Sequence, residues 1–549
     1  MTNDVFQGNE FGRDIFNHKY KHQSAESWDE LATTLSDEVM GGFVDKEDVA
    51  TGRRFISEMK FIPGGRFLYY AGRKLRAYSN CFLLRANEDT REDWADVSWK
   101  SEMCLTVGGG IGVDYSVYRP SGSKLSRTGG IASGPISKMS MINEIGRHVM
   151  QGGSRRSAIY GSLNWRHQDA GAFLTSKNWH DMPVAGTGKT VADLKNADFN
   201  YNAPLDMTNI SLNYDDAWLA YRMHPTFVTN CVQACKTGEP GFSFNFGAKQ
   251  SESLRNACTE LTSSDDNDVC IIGSLNMSRF ETLSEFADAV RTGTQFLLCG
   301  SIRGDVPYDR VAATRLKNRR LGLGLMGVHE WLLARGYKYG MNDELRSWLE
   351  VYRDVSTKTA NELADRIGVS RPVATRAIAP TGTIGILAGT TTGIEPVFAV
   401  AYKRRYLLNG KDWHYQYVVD SCARRLIDKY GVDPDSIESA TDLARDPRRR
   451  IEFQADVQDY VDHGISSTIN LERWGSEFNN EDLVPSFAAT LAEFAPRLRG
   501  FTAYPNGSRG GQPLEGVPYR QAVGLEGQDF VESAHDICDL SGKGGSCGT

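Results

Sequence analysis

The sequence predicts an α/β fold, and two observations support this prediction. Between about residues 61 and 400, short apolar runs bounded by glycine alternate with segments of helical periodicity at 217–235, 281–298 and 343–367. The chain of 549 residues is 40% hydrophobic, which is enough to bury a large core. Apolar strands that alternate with helices are typical of a sheet with helices packed on its faces.

Residues 1–60 predict a short helical region ahead of the α/β part. The charged segments at 27–32 and 46–59 carry apolar residues at helical spacing. No glycine-rich phosphate loop occurs in this region.

Three glycine clusters, at 108–112, 129–135 and 152–157, interrupt the α/β part. Glycine permits positive φ and close backbone approach, which anion-binding loops need, but tight turns explain any single cluster equally well. The first cluster lacks the GxGxxG spacing with a following acidic residue, so a dinucleotide-binding fold is not favoured.

A fourth small-residue segment, 379–396, is suited to hold a phosphate. It contains Pro380-Thr381-Gly382-Thr383-Ile384, whose amides and hydroxyls would surround an anion at a helix N-terminus. Residues 404–500 are predicted to be largely helical. After about residue 505 the chain is polar and rich in glycine and proline, which predicts a flexible tail.

The charge balance excludes some classes of partner. Sixty-two Lys and Arg against 69 Asp and Glu give a formal charge of −7 and a pI near 5.9, so nucleic acid is not an expected partner. No run of 18 apolar residues and no basic segment leading into an apolar core is found. We expect a cytoplasmic protein that does not bind membranes.

The ten cysteines show neither the dense spacing of a secreted disulfide scaffold nor a CxxC pair for zinc, and no metal site is predicted. Two of them, Cys538 and Cys547, lie in the predicted tail. Five others are interpreted as small apolar core residues: Cys104, Cys231, Cys235, Cys299 and Cys422.

The most informative motif is Asn256-Ala257-Cys258-Thr259-Glu260, with Cys270 ten residues after the carboxylate. In an extended segment, the amide, thiol and carboxylate at alternate positions would leave the same face. A carboxylate so close to a thiol disfavours the thiolate, and no His or Lys in the segment offsets it. The motif therefore indicates a cysteine that carries a hydrogen atom, beside a Glu that accepts a proton from a hydroxyl.

Together these segments resemble the catalytic chain of ribonucleotide reductase. Besides the central motif, the resemblance rests on Tyr78-Ser79-Asn80-Cys81-Phe82, on segments 129–135, 320–327, 380–384, 465–471 and 501–509, and on the C-terminal thiols. These motifs occur in order over about residues 60–515. The form of segment 380–396 resembles class II, the adenosylcobalamin-dependent enzymes. The adjacent tyrosines expected near the end of class I chains are missing, and the glycyl-radical motif of class III is not seen.

The resemblance implies a ten-stranded α/β barrel made of two antiparallel five-stranded halves, with Cys258 on a finger loop inside. It divides the chain into an N-terminal helical region without an ATP-cone (1–60), a catalytic barrel domain (61–504) and a tail with redox cysteines (505–549). It also implies a cytoplasmic enzyme of DNA precursor synthesis, monomeric or homodimeric, that reduces ribonucleoside diphosphates or triphosphates.

The resemblance also assigns roles to residues. Cys258 would carry the radical, Glu260 would accept the 3′-hydroxyl proton, Asn256 would hold the ribose hydroxyls, and Cys81 and Cys270 would supply two electrons. Cys538 and Cys547 would recharge that pair from a thioredoxin- or glutaredoxin-like reductant, although eight residues between them is wider than the family pattern. The expected substrate contacts are Asn80, Cys81, Gly110, Asn256, Ala257, Cys258, Thr259, Glu260, Pro380, Thr381, Gly382, Thr383 and Ile384.

A loop containing Gly153, Ser154, Arg155 and Arg156 would report a bound deoxynucleoside triphosphate effector to the substrate site. Three alternatives remain open at the level of sequence. The first is a class I-type subunit that needs a separate radical-generating subunit, and the second is a glycyl-radical enzyme, which would leave Cys81 and Cys270 unexplained. The third is a nucleotide-binding relative that has lost catalysis.

Overall fold

The computed structural model describes residues 4–126, 128–149, 157–198, 200–408, 412–508 and 514–530. The strands of this mixed α/β fold are β1 (Phe61–Pro63), β2 (Cys81–Arg85), β3 (Gly110–Asp114), β4 (Ile159–Asn164), β5 (Pro183–Val184), β6 (Lys189–Thr190), β7 (Thr208–Tyr214), β8 (Gly241–Phe244), β9 (Leu254–Arg255), β10 (Thr262–Ser263), β11 (Asp268–Asn276), β12 (Leu321–Met326), β13 (Ala401–Leu408), β14 (Asp412–Val419), β15 (Thr468–Leu471), β16 (Gly500–Pro505), β17 (Leu514–Val517) and β18 (Asp529–Phe530).

The helices surround the large sheet. In chain order they are α1 (Glu10–Ile15), α2 (Trp28–Met40), α3 (Lys46–Ser57), α4 (Gly65–Tyr70), α5 (Arg91–Thr106), α6 (Gly134–His148), α7 (Ala170–Thr175), α8 (Val191–Ala197), α9 (Asp216–Leu219), α10 (Pro225–Thr237), α11 (Leu283–Arg303), α12 (Asp309–Asn318), α13 (Val328–Ala334), α14 (Asp343–Ile367), α15 (Gly382–Ala388), α16 (Ser421–Tyr430), α17 (Ala440–Leu443), α18 (Pro447–Gln458), α19 (Val484–Phe494) and α20 (Tyr519–Ala522).

The first half of the barrel consists of β2, β3, β4, β7 and β8, which pair in that order and all run parallel. The second half consists of β11, β12, segment 375–378, β15 and β16. Its named strands pair in parallel at β11–β12 and β15–β16. Segment 375–378 fills the space between them through the parallel bridges Leu323–Arg376 and Ile378–Ile465.

The two halves join in antiparallel fashion at both edges. Cys270 of β11 lies opposite Cys81 of β2, and Gly500 of β16 lies opposite Ser243 of β8. The sheet is therefore closed into ten strands, and the predicted barrel of two antiparallel five-stranded halves is confirmed. At one end of this barrel, called the mouth below, the strands of the first half begin and those of the second half end.

The strands are apolar because helices cover their outer faces and the finger described below fills the interior. All nine residues of β11 and all six of β12 are buried. Helix α11 packs against both strands and against the N-terminal helices α2 and α3. The predicted helical segments at 27–32 and 46–59 correspond to α2 and α3, which begin at Ser27 and Asp45 caps.

Two parts of the sequence prediction differ from the structure. Residues 404–500 were predicted to be largely helical, but β13 and β14, at 401–419, form an antiparallel hairpin. In the predicted flexible tail, 505–549, the described residues 514–530 contribute β17, α20 and β18, and both strands pair with this hairpin. Aromatic residues at alternate positions, such as Tyr415 and Tyr417, favour a pleated surface over a helix. Across the described ranges, no helix is both long enough and apolar enough to cross a bilayer.

Candidate active site

The motif residues lie on a short finger that connects the two halves. Strands β9 and β10 pair through Arg255 opposite Thr262 and Leu254 opposite Ser263, and residues 256–261 form the tip. The finger follows β8, the last strand of the first half, and precedes β11, the first strand of the second half. A single chain crossing between the halves therefore carries the predicted catalytic residues.

The tip is a tight turn rather than an extended strand, so the prediction of an extended segment is wrong. The backbone N–H of Thr259 donates to the Asn256 carbonyl at 3.0 Å, and Thr259 has a left-handed φ of 66°. The Asn256 side chain closes the turn by accepting from Leu261 N–H at 3.0 Å. Cys258 and Glu260 thus belong to one turn whose shape is held by Asn256.

Buried hydrogen bonds hold the base of the finger. The Arg255 guanidinium, 1% exposed, donates to Asn245 Oδ1 at 2.7 Å and to the Arg499 carbonyl at 2.9 Å. Burial lowers the pKa of Arg255 to about 9, and the nearby Arg499 adds to this effect. Each donated bond to an acceptor fixed on the barrel restricts the direction in which the finger leaves the sheet.

The barrel also makes close backbone contact with the finger. A Cβ on Gly112 of β3 would lie 1.7 Å from the Arg255 carbonyl oxygen, so only glycine fits at that position. At the tip, Asn209 of β7 donates to the Ala257 carbonyl at 3.0 Å. On the other side, Gly464 N–H donates to the Glu260 carbonyl at 2.7 Å. The tip is consequently fixed from both halves.

The two predicted reducing thiols are cross-strand partners. Cys81 begins β2, Cys270 lies opposite it on β11, and both are buried. Asn256 Nδ2 lies 3.1 Å from Cys81 Sγ, which places the finger beside this pair. Burial raises the pKa of Cys270 well above its ordinary value, so it is a protonated thiol at neutral pH. Among the described residues no cysteine forms a disulfide.

Glu260 is buried at 1% exposure, and its Oε2 has no hydrogen-bond partner among the described residues. Burial raises the pKa of Glu260 to about 7, although the hydrogen bond with Asn256 opposes the change. A carboxyl group that titrates near neutrality can accept a proton from a bound hydroxyl. Cys258, two residues earlier, is half-buried.

At the mouth, the first half contributes Asn80 and Gly110. Gly110 N–H donates to the Asn80 carbonyl at 2.9 Å, and a Cβ on Gly110 would lie 3.4 Å from Cys81 Sγ. The buried Asn80 Oδ1 has no partner in the described part of the chain. Both residues therefore adjoin the thiol pair.

Arg66 organises the same edge of the mouth. Its guanidinium donates to the carbonyls of Ala77, Val107 and Gly108, from the segments just before β2 and β3. One side chain thus ties together the two segments that lead into Cys81 and Gly110.

The predicted phosphate segment follows 375–378 in the second half. Thr381 has a φ of 50° and precedes α15, while its Oγ1 accepts from Gly393 N–H at 2.9 Å instead of capping the helix. A Cβ on Gly382 would meet no described atom within 4 Å. The first N–H groups of a helix have no partner inside it, so this turn offers donors to a ligand at an open position.

A cleft of about 500 Å³ opens at the same end of the barrel. It lies at the carboxyl ends of β15 and β16, where Asn470, Tyr504 and Asn506 line it, and β17, which pairs with the hairpin strand β13, forms another wall.

The remaining predicted residues lie outside the described ranges or in the apolar core. Cys538, Cys547 and the loop of Gly153, Ser154, Arg155 and Arg156 lie outside the described residues. The five cysteines interpreted as core residues are all buried in the structure, and all of them belong to the two large apolar clusters or to the smaller one around α16.

Some residues that shape the site were missed. Gly112 lies in a cluster interpreted as a turn or an anion loop, whereas it is a strand residue that admits the finger. Asn209, Arg66 and Gly464 contact residues more than ten positions away in the chain. Only Gly464 had a signal, because it precedes the 465–471 motif directly.

A closed ten-stranded barrel with an interior finger, a buried carboxyl group and a thiol pair defines an enzyme of the ribonucleotide reductase barrel type. The family model described as "Ribonucleotide reductase, barrel domain" matches residues 79–201, 232–372 and 357–488. The chain belongs to the ribonucleotide reductase family.

Relatives differ from the chain in length. A protein of Thermoplasma acidophilum named vitamin B12-dependent ribonucleoside-diphosphate reductase is 26% identical over 79% of this chain, which spans 62% of that relative's length. A protein of the same name from Mycobacterium tuberculosis is also 26% identical, over 93% of this chain and 81% of its own length. The fold is similar to that of the class Id ribonucleotide reductase alpha subunit of Actinobacillus ureae, with a TM-score of 0.72, 16% identity, and coverage of 92% of this chain and 99% of that one.

Proposed function

We propose that the chain reduces ribonucleotides to 2′-deoxyribonucleotides by a radical mechanism with adenosylcobalamin, for DNA precursor synthesis. The observation that carries the proposal is the finger inside the closed barrel, which carries Cys258 and Glu260 on one turn and places Asn256 of that turn 3.1 Å from Cys81 of the Cys81–Cys270 pair. Enclosure protects a reactive sulfur from water and from oxidants.

The cofactor proposal draws on the names of the relatives, which are vitamin B12-dependent. Adenosylcobalamin, when bound, supplies a radical able to take a hydrogen atom from a thiol. The chain offers a half-buried Cys258 as that thiol and a cleft at the mouth lined by Asn470, Tyr504 and Asn506 that would hold part of the cofactor. The lining suits this group, because the side chains of Asn470, Tyr504 and Asn506 can donate hydrogen bonds to the amide groups around a corrin ring.

The residues then divide the work. Cys258 exchanges a hydrogen atom with the 3′ carbon of the ribose, and Glu260 takes the 3′-hydroxyl proton through its unpartnered oxygen. Replacement of the 2′-hydroxyl by hydrogen consumes two electrons and two protons, which the Cys81 and Cys270 thiols supply as they form a disulfide, and the hydroxyl leaves as water. Asn256 keeps the tip in shape and would hold the ribose hydroxyls.

The substrate phosphates would bind at Pro380, Thr381, Gly382, Thr383 and Ile384, where open helix N–H groups support an anion. Cys538 and Cys547 would pass electrons from a thioredoxin- or glutaredoxin-like reductant to the internal pair by thiol exchange. A deoxynucleoside triphosphate bound near 153–156 would select the substrate. We also expect a cytoplasmic monomer or homodimer.

The test is incubation of the purified chain with a ribonucleoside diphosphate or triphosphate, adenosylcobalamin and a small dithiol. The expected result is cobalamin-dependent formation of deoxyribonucleotide. Product only after addition of a metal-containing radical-generating subunit would contradict the cofactor proposal and favour a class I-type subunit. Nucleotide binding without turnover under both conditions would contradict catalysis itself.

A further inference from the structure

Residues 463 and 464, between α18 and β15, contact both the finger and the strand that leads to the phosphate segment. His463 N–H donates to the Arg376 carbonyl at 3.1 Å, and Ile378 N–H donates to the Gly464 carbonyl at 3.3 Å. Toward the finger, Gly464 N–H donates to the Glu260 carbonyl at 2.7 Å. Two consecutive residues therefore connect the tip of the finger to segment 375–378.

The His463 side chain makes a second connection to the finger. Its Nδ1 accepts from Thr262 N–H at 3.1 Å, at the point where β10 begins. Burial, together with the positive charges of Arg320 and Arg499, lowers the pKa of His463 well below its ordinary value. The imidazole is therefore neutral, and the bond from Thr262 assigns its proton to Nε2.

Gly464 lies so close to the finger that a side chain at position 464 would displace the finger tip. A Cβ at this position would lie 2.7 Å from the Thr259 carbonyl oxygen and 3.4 Å from that of Glu260. The φ of Gly464 lies outside the left-handed region, so backbone strain does not explain why glycine occupies this position. The close contact with the finger tip explains it.

Contacts that do not involve the finger hold residues 463 and 464 on the side of segment 375–378. Asp462, one residue earlier, forms an ion pair with Arg376 at 2.7 Å and accepts from the backbone N–H of Thr375 at 2.9 Å. Arg376 is 4% exposed and also donates to Ser356 and Thr357 of α14. The position of 463–464 is thus set by the second half, and the finger is set against it.

We infer that His463 and Gly464 are positioning residues, which fix the distance between the reacting finger tip and the phosphate segment. Segment 375–378 continues within two residues into Pro380 and Thr381, while Gly464 holds Glu260 directly. A nucleotide that is bound by its phosphates would therefore have its ribose at a fixed distance from Cys258 and Glu260. This inference rests on the proposed function for its catalytic meaning, but the geometry can be tested without turnover.

The first test compares Gly464→Ala with Gly171→Ala, a control in α7 where a Cβ would meet no described atom within 4 Å. Cys258 alkylation by iodoacetamide is followed by peptide mass spectrometry, without cofactor. We expect the labelling rate of Cys258 to change several-fold in Gly464→Ala only, because the methyl group displaces the tip. In turnover, a displacement of about 1 Å would lower kcat by about 100-fold and leave KM within about threefold.

The second test separates positioning from folding. His463→Asn keeps an acceptor near the place of Nδ1, whereas His463→Leu removes it. We expect Asn to retain the wild-type labelling rate of Cys258 and most of kcat, and Leu to behave like Gly464→Ala. Equal behaviour of Asn and Leu, or unchanged labelling in Leu and in Gly464→Ala, would overturn the inference. Absence of nucleotide reduction by the wild-type chain would instead contradict the proposed function and leave the labelling test valid.

Discussion

The two halves of the barrel contribute different parts of their strands to the mouth. The first half presents strand beginnings, with Cys81 and Gly110 as the first residues of β2 and β3. The second half presents strand ends, and its segment 375–378 continues into the exposed turn before α15. Both meet at one end of the barrel because the halves run antiparallel.

This difference separates two kinds of chemistry, one at the ladder where β2 and β11 join the halves and one at the strand ends of the second half. A side chain within a ladder is fixed by its register, as Cys81 is fixed opposite Cys270, which suits bond-making between defined atoms. A chain leaving the carboxyl end of a strand can turn into a helix and expose N–H groups, which suits binding of phosphate. Changes in the finger or thiol pair should therefore lower kcat, and changes in the phosphate segment should raise KM.

The largest effect is expected for Cys258→Ala, on the finger that joins the halves. Without the thiol no hydrogen atom can be carried to the ribose, so turnover should fall to background while the nucleotide Kd stays within about threefold. Product formation and equilibrium nucleotide binding measure the two quantities. The control is Cys422→Ala, which changes a buried cysteine of α16. Turnover retained by the Cys258 variant would show that another group carries the radical.

Glu260→Gln should lower kcat by about 10²- to 10⁴-fold, the usual range for loss of a general base. In the wild type, kcat should rise with pH through about 7, because burial raises the pKa of Glu260 to about 7 and the ionised form accepts the proton. Steady-state rates between pH 5.5 and 8.5 test this. A profile of unchanged shape in the Gln variant would contradict the assignment.

The stability of the fold should also depend on the ionisation of Glu260, but it should fall with rising pH whereas kcat rises. Because the folded chain favours protonated Glu260, the group destabilises the fold as pH rises from its ordinary value, 4.5, through about 7. Glu260→Gln lacks this ionisation. The thermal midpoint of the variant minus that of the wild type should therefore be larger at pH 8 than at pH 5. Unfolding followed by circular dichroism at both pH values measures the difference. An equal difference at both would indicate that Glu260 titrates normally.

Cys538→Ser tests how the internal thiol pair is recharged. We expect activity close to that of the wild type with a small dithiol that reaches Cys81 and Cys270 directly, and at least tenfold lower activity with a thioredoxin-like protein reductant. The ratio of the two rates is the measurement. Equal activity with both reductants would indicate that the tail thiols do not act as the relay.

The smallest effect is expected for Gly382→Ala in the second half. The added methyl group would enter the open space in front of α15 and raise KM about three- to tenfold, with little change in kcat, because phosphate would bind less closely. Alanine also favours the helix, so the thermal midpoint should not fall. Gly171→Ala serves as the control. A lower kcat at unchanged KM would contradict the assignment of substrate binding, rather than the reaction itself, to the phosphate segment.

Local patterns predicted much of this fold. The segment 343–367 corresponds to α14 in full, because its apolar spacing and Asn342 cap are local signals. The hairpin at 401–419 was missed, although Asn409-Gly410 between aromatic alternations is a hairpin signal in the sequence. The paired strands β17 and β18 could not be found locally, since they depend on that hairpin as a template.

The sequence predicted which side chains react, but it did not predict the residues that hold them in position. Cys81, Cys270 and the finger were found because chemistry limits which residue types can do the work. Gly112, Asn209 and Arg66 hold that geometry through carbonyl oxygens of distant segments. Carbonyl groups are the same in every residue, so such contacts leave no trace in the sequence pattern.

The antiparallel closure at β8 and β16 also determines when the finger becomes enclosed during synthesis. The finger is complete at Ser263, but the strand that seals the barrel beside it ends only at Pro505. A nascent chain made at about 5–20 residues per second therefore leaves Cys258 reachable for at least about ten seconds. We expect Cys258 to react faster with an alkylating reagent on ribosome-bound chains that end before Gly500 than on the complete chain, which labelling of stalled nascent chains can measure.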